Sequence, residues 1–137
     1  MVDTVSRSKR TEIMSLVKQR NTKPEIIVRK LLHKSGFRFR LHNKKLPGTP
    51  DIVLPKYKTV IFVHGCFWHQ HEGCRKARRP TSNTEYWNEK FEANIERDVR
   101  KIIQLKNLGW EAIVVWQCEL KNRADLEIKL NSLKIFK

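Results

Sequence analysis

The spacing of apolar residues changes along the chain, and each change marks an element. Ile13, Leu16 and Val17 fall on one side of a basic stretch, which predicts a helix over about residues 8–19. A second helix is expected to start near Thr22-Lys23-Pro24-Glu25, where Thr22 can cap, Pro24 suits the first turn and Glu25 stands three residues after the cap. Ile27, Val28, Leu31 and Leu32 form its apolar face, and Gly36 can end it. Phe37-Arg38-Phe39-Arg40-Leu41 alternates apolar and basic residues, the mark of a half-exposed strand. Leu46-Pro47-Gly48-Thr49-Pro50 reads as a turn feeding Asp51 and the short strand Ile52-Val53-Leu54, which Pro55 closes. Thr59 to Val63 is apolar on both faces and is expected to be a central strand.

A long helix follows over about 85–107, with Ser82 and Thr84 as candidate caps. Its expected buried stripe is Trp87, Phe91, Ile95, Val99, Ile102 and Ile103, and Gly109 supplies its stop. Glu111 to Trp116 is another strand, and a last helix is expected over about 123–133. Because strands and helices alternate, the fold class is α/β with a mixed central β-sheet flanked by helices. No linker or repeat divides the chain, so residues 1–137 are expected to form a single domain with a basic N-terminal arm over about 1–20.

Charge narrows the partners. Lys and Arg total 29 against 14 Asp and Glu, for a net charge of +15. In so short a chain that balance favours a polyanion, and nucleic acid before membrane, because no basic stretch keeps an apolar face free of core duties. No apolar run approaches the roughly 20 residues that cross a bilayer, and no signal-peptide core follows Arg7, Lys9 and Arg10. A cytoplasmic, nucleoid-associated protein is the expectation.

Candidate chemistry concentrates in His64-Gly65-Cys66-Phe67-Trp68-His69-Gln70-His71-Glu72-Gly73-Cys74, directly after the central strand. Three cysteines are an odd number, so metal binding or plain burial precedes a disulfide framework. Cys66, Cys74 and Cys118 with one histidine make a Cys3His set suited to structural zinc. Spacing leaves the fourth ligand open between His69 and His71. Asp51, where a turn becomes a strand, is well placed to hold Mg2+, and neighbouring His64 can accept a proton from water near neutral pH. A turn cap also accounts for Asp51, and a capping box for Glu25. Phe67 and Trp68 sit in a polar loop from which aromatic rings can wedge between bases; Trp87 could join them or serve the helix stripe.

These residues resemble the very short patch repair (Vsr) DNA mismatch endonucleases. The matching stretches include Thr22-Lys23-Pro24-Glu25, Leu46-Pro47-Gly48-Thr49-Pro50-Asp51, Val60 through His69, Asn94-Ile95-Glu96-Arg97-Asp98, and Leu108 through Cys118. The resemblance implies a fold similar to the type II restriction endonucleases and Mg2+-dependent nicking of one strand beside a T·G mismatch. It implies Asp51 as the Mg2+ carboxylate with the main-chain carbonyl of Val63, His69 as general base, and His64 and Glu25 in support. His71 is then left to bind zinc with Cys66, Cys74 and Cys118. Phe67, Trp68 and Trp87 become the wedge, with Met14 entering from the other groove. Mismatched duplex DNA is the implied partner of a monomer, with mismatch-repair proteins as candidate helpers. Three departures stand out: Val63 replaces a threonine, the segment before Cys74 is one residue longer, and the Glu-x-Lys signature of restriction-type nucleases is absent. Competing readings are a nuclease that cuts both strands, a zinc-stabilised DNA-binding module without catalysis, and an RNA-binding protein.

Overall fold

Thr22 opens the first helix as its neighbours dictate. Its hydroxyl accepts the Glu25 N–H at 3.4 Å, and α1 runs Lys23–Lys34. The computed structural model describes residues 22–134. The helix expected over 8–19, the basic N-terminal arm and Met14 lie outside the described residues. Gly36, at φ +85, follows the Ser35 C-cap and carries the chain through a left-handed turn that other residues resist. The strand expected over 37–41 is shorter than its alternation suggested. Phe37 is buried, but only Arg40–Leu41 pairs as β1, and Leu41 is 41% exposed on the outer strand of the sheet.

The sheet has the order β1-β2-β3-β4, with β2 spanning Ile52–Leu54, β3 Thr59–His64 and β4 Glu111–Trp116. The first three strands are antiparallel, whereas β4 runs parallel to β3 from Thr59 opposite Glu111 to His64 opposite Trp116. A parallel neighbour needs a crossover, and helix α2, Thr84–Asn107, provides it. Helix α3, Arg123–Asn131, closes the chain, capped by the Asn122 side chain on the Asp125 N–H. The mixed α/β sheet flanked by helices is therefore as expected.

Alternation along the strands sorts the core into two layers. Ile52, Leu54, Ile61 and Val115 pack against Val28, Leu31 and Leu32 of α1 and Leu126 and Leu130 of α3. Val53, Val60 and Phe62 point to the other face and meet Leu105 of α2. Each such fully buried side chain contributes roughly 1.5–3 kcal/mol from removal of apolar surface from water. That rigid double-sided sheet holds the ends of β2 and β3 in place.

Two expectations for α2 need correction. Asn83, at φ +52, occupies the N-cap position rather than Ser82 or Thr84. Val99 and Ile103 are each 53% exposed, while Leu105 is fully buried in their stead. The reason is helical drift: each four-residue step rotates by ~40°, so Ile103 lies ~160° from Trp87 while Leu105 returns to its side. Among the described residues, no helix is long and apolar enough to cross a membrane.

Candidate active site

A cleft of about 710 Å³ lies between the start of β2, the end of β3 and one face of α2. Glu25, His42, Asp51, Val63, His64, His69 and Asp98 all line it. Asp51 and His69, far apart in sequence, thus share one cavity. Asp51 stands at the mouth of β2, where its Oδ2 accepts the Val63 N–H at 2.7 Å. In an extended strand the N–H and C=O of one residue project to the same side, so the Val63 carbonyl also faces the Asp51 edge. Burial, with the Glu25 carboxylate adding to it, pushes the Asp51 carboxyl up to about 6 despite that hydrogen bond. It is a buried acid short of positive charge.

Glu25 is itself 3% exposed and does more than stand in a helix cap. Arg29 donates to its Oε2 at 3.1 Å, and His42 Nε2 lies 3.2 Å from the same oxygen. His42, at φ +46, turns its ring toward this group, and one ligand atom each from Glu25, His42 and Asp51 lie within 4.8 Å of one another.

On the other wall, His69 Nδ1 and Asp98 Oδ2 are 2.7 Å apart. Burial would raise the Asp98 carboxyl, but the hydrogen bond and charge of His69 outweigh it and hold the group below the ordinary carboxylate range. His64 stacks flat on His69, with ring centroids 3.8 Å apart and planes within 5°. Burial first, then the charge of His69, drives His64 down to about 3, so it is neutral across the physiological range. Its Nδ1 is buried without a hydrogen-bond partner among the described residues.

The loop after β3 separates two histidines that spacing left ambiguous. Gln70 adopts φ +50, a left-handed conformation that costs roughly 1–2 kcal/mol outside glycine. Its side chain is held by the Phe67 carbonyl at 2.7 Å and by Arg79 at 3.0 Å. The turn sends His69 to Asp98 and His71 the other way, where its ring stacks on Trp116 at 4.1 Å. His71 Nδ1 lies 3.4 Å from Cys118 Sγ. One ligand atom each from Cys66, His71, Cys74 and Cys118 lie within 4.8 Å of one another, a donor set able to hold a metal ion. Burial pushes the Cys66 thiol up to about 11, while the Lys76 N–H lowers Cys74.

The aromatic residues divide as well. Phe67 meets Trp68 edge to face at 5.1 Å, and both are half-buried. Trp87 is 1% exposed, packed on Phe91 and Phe67, so here it supports the pair instead of presenting a free face to DNA. Sequence reading assigned no role to His42 or Asp98. The signal for Asp98 was its place four residues after Asn94 on one polar stripe of α2; for His42 there was none.

The family model described as DNA mismatch endonuclease Vsr matches residues 2–76, more than half the chain. The type II nicking enzyme V.XorIIP of Xanthomonas oryzae pv. oryzae is 52% identical over 133 residues, spanning 97% of each protein. The DNA mismatch endonuclease Vsr of Escherichia coli is 41% identical over 126 residues, covering 92% of this chain and 80% of its own length. Among solved structures, the homing endonuclease I-Bth0305I catalytic domain matches with a TM-score of 0.60, over 85% of this chain and 97% of that one; at 18% identity the likeness concerns the fold. The clustered carboxylates, imidazoles and thiols are groups that could hold divalent metal ions. The chain belongs to the Vsr family of DNA mismatch endonucleases, hydrolases that act on DNA.

Proposed function

We propose that this chain nicks one strand of duplex DNA beside a T·G mismatch in a Mg2+-dependent reaction. Such mismatches form when 5-methylcytosine deaminates to thymine, so the nick would initiate very short patch repair. The observation that carries this reading is the convergence of Asp51, Glu25, His64 and His69 on one cleft with Trp68 in its wall. Relatives that bear the name nicking enzyme favour cleavage of a single strand.

Asp51 and the Val63 carbonyl would hold Mg2+, which prefers hard oxygen ligands. The fit rests on Asp51 itself: a buried carboxyl pushed up to about 6 gains most from a cation beside it. When bound, Mg2+ supplies charge neutralisation at the phosphate and a polarised water. The side chains do the rest. His69 donates its Nδ1–H to ionised Asp98, which leaves the Nε2 lone pair to take the proton of the attacking water. His64, neutral and stacked, keeps the His69 ring in plane, and its unpartnered Nδ1 is left for water or substrate. Glu25, fixed by Arg29 and His42, orders water next to Asp51. The bond from phosphorus to the 3′ oxygen breaks, leaving a 5′-phosphate.

Cys66, His71, Cys74 and Cys118 would hold structural zinc, since four protein ligands leave no open position for a reactive water. Phe67 and Trp68 would wedge into the stack beside the mismatch, with Trp87 behind them and Met14 entering from the other groove. A wobble pair is easier to distort than a normal one, so the mismatch is read partly as deformation energy.

The deciding experiment incubates labelled T·G duplex, matched duplex, single strands and RNA with Mg2+ or EDTA. A single nick confined to the mismatched duplex with Mg2+ is expected; binding without cleavage would leave only a DNA-binding module. His69→Ala is expected to lower the nicking rate by about 10²–10⁴-fold, the usual worth of a positioned base. Asp98→Asn should cost about 10–100-fold through loss of the orienting partner. Full activity in either variant would sever that dyad from the chemistry. Phe67→Ala with Trp68→Ala is expected to cut the preference for T·G over matched duplex by about tenfold or more, on the scale of lost stacking. An unchanged ratio of the two rates would rule out the wedge.

A further inference from the structure

Lys101 lies on α2 one turn beyond Asp98 and lines the same cleft. Its aliphatic stem runs across Gly48, in the turn that delivers Asp51. A Cβ at position 48 would stand 2.7 Å from Lys101 Cδ, 3.1 Å from Cγ and 3.2 Å from Cβ, so a side chain there and the present path of Lys101 exclude each other. The stem, rooted on the helix that carries Asp98, thereby rests against the loop that carries Asp51.

The head of this lysine is unused. Glu25 has Arg29 and His42, Asp98 has His69, and Arg97 bonds Asn94. Lys90, about two turns before Asp98 on α2, lines the cleft without such a partner among the described residues and without a stem laid over the Asp51 turn. The Lys101 ammonium makes no hydrogen bond or ion pair among the described residues. Yet its charge reaches both working groups, helping to lower His64 and to hold Asp98 down. A lysine on a solvated face has neither a stem packed on a turn nor a place in the lining of a cleft.

We propose that Lys101 grips the phosphate at the scissile linkage and stabilises the charge that builds on it during hydrolysis. This rests on reading the Asp51–His69 cleft as the nicking site. As the water oxygen bonds to phosphorus and its proton passes to His69, the bond to the 3′ oxygen lengthens and breaks. Negative charge grows on the phosphoryl oxygens and the departing oxygen, which takes a proton from solvent. An ammonium already in place needs little reorganisation to meet that charge. Lys101 would therefore contribute more to the reacting phosphate than to general duplex affinity.

The test compares the wild type with Lys101→Met, which keeps an apolar stem over Gly48, with Lys101→Arg, and with Lys106→Ala at the exposed end of α2. Single-turnover nicking of saturating T·G duplex with Mg2+ is expected to slow about 10²-fold in Lys101→Met, with binding measured without divalent ions weakened less than about threefold. Arginine should restore part of the rate, and Lys106→Ala should leave it unchanged. A duplex with a neutral methylphosphonate at the scissile linkage gives a readout independent of turnover. It should bind the wild type more weakly than normal duplex, yet Lys101→Met should show no further loss on it. Wild-type rates in Lys101→Met, or losses from the mutation and the methylphosphonate that simply multiply, would overturn the assignment. An inactive Asp51→Asn beside a fully active Lys101→Met would remove Lys101 alone, whereas a fully active Asp51→Asn would remove the cleft reading and Lys101 with it.

Discussion

Asp51→Asn is expected to slow nicking of T·G duplex by about 10³–10⁴-fold, the worth of several kcal/mol of metal-assisted charge stabilisation. Duplex affinity should stay within about threefold, because the variant removes an interaction made mainly in the transition state. The fold should survive. An amide oxygen at position 51 can still accept the Val63 N–H, which the carboxylate now does at 2.7 Å. Stability should even improve in metal-free buffer. The Asp51 carboxyl sits at about 6 in the folded chain, above its ordinary value, so the folded state binds that proton more tightly than the unfolded one. Its contribution is full at low pH and is lost as pH rises through about 6. Asparagine has no such loss, so its thermal midpoint above that pH should exceed the wild type's in EDTA, and the gap should narrow at low pH. Nicking at the wild-type rate would take Asp51 out of the metal role. A gap that ignores pH would show that burial of the charge is not what sets the cost.

That opposition between stability and chemistry explains why some of the site was legible in the sequence and some was not. The capping pattern at Thr22 located α1 because caps act within one turn. The same pattern offered a purely local account of Glu25, whose side chain in fact meets His42, 17 residues away. Local signals are silent about partners that only the sheet brings together. Asp98 is the sharper case. Nothing near it in sequence marks it as the partner of His69, 29 residues earlier, and the pairing exists because α2 crosses back over the end of β3. Likewise, His69 and His71 could not be told apart by spacing; the left-handed turn at Gln70 and its anchors decide their directions.

The α2 stripe shows a different failure. An i, i+4 reading ran from Trp87 through Phe91, Ile95 and Val99 to Ile103, but a real helix drifts off that line, and burial followed Leu105 instead. Trp87 went the opposite way: the stripe with Phe91 was the better guide, and its ring is covered. By contrast, Thr59 to Val63 was readable because a continuous apolar run leaves few places but the centre of a sheet, and the observed strand extends it by one residue to His64. The strand also fixes where the reactive loop starts, so the positions of Cys66 and His64 followed from periodicity alone.

If the Cys66, His71, Cys74 and Cys118 set holds zinc as proposed, its removal is expected to be the largest perturbation of stability. Cys66 follows β3, Cys118 follows β4 in the turn Gln117–Lys121, and a shared ion would cross-link two points some ~50 residues apart. In the chain-entropy picture a cross-link of that span stabilises the fold by about 4 kcal/mol, or about 15 °C in thermal midpoint for a domain this size. Cys118→Ser should lose that stability and bind less than one zinc per chain by elemental analysis. The two core layers contain none of the other three ligands, so the sheet should persist at low temperature while the loop from Gly65 to Arg78 loosens. Nicking should then fall even where circular dichroism shows a folded chain, because His69, Phe67 and Trp68 ride on that loop between Cys66 and His71. Added Mg2+ should not rescue it, since hard oxygen-seeking ions are poor partners for thiolates. Unchanged zinc content in Cys118→Ser would reject Cys118 as a ligand. Full nicking by a zinc-free, folded chain would mean that the loop holds His69 against Asp98 without a metal, through Gln70, Arg79 and the stacked His64 alone.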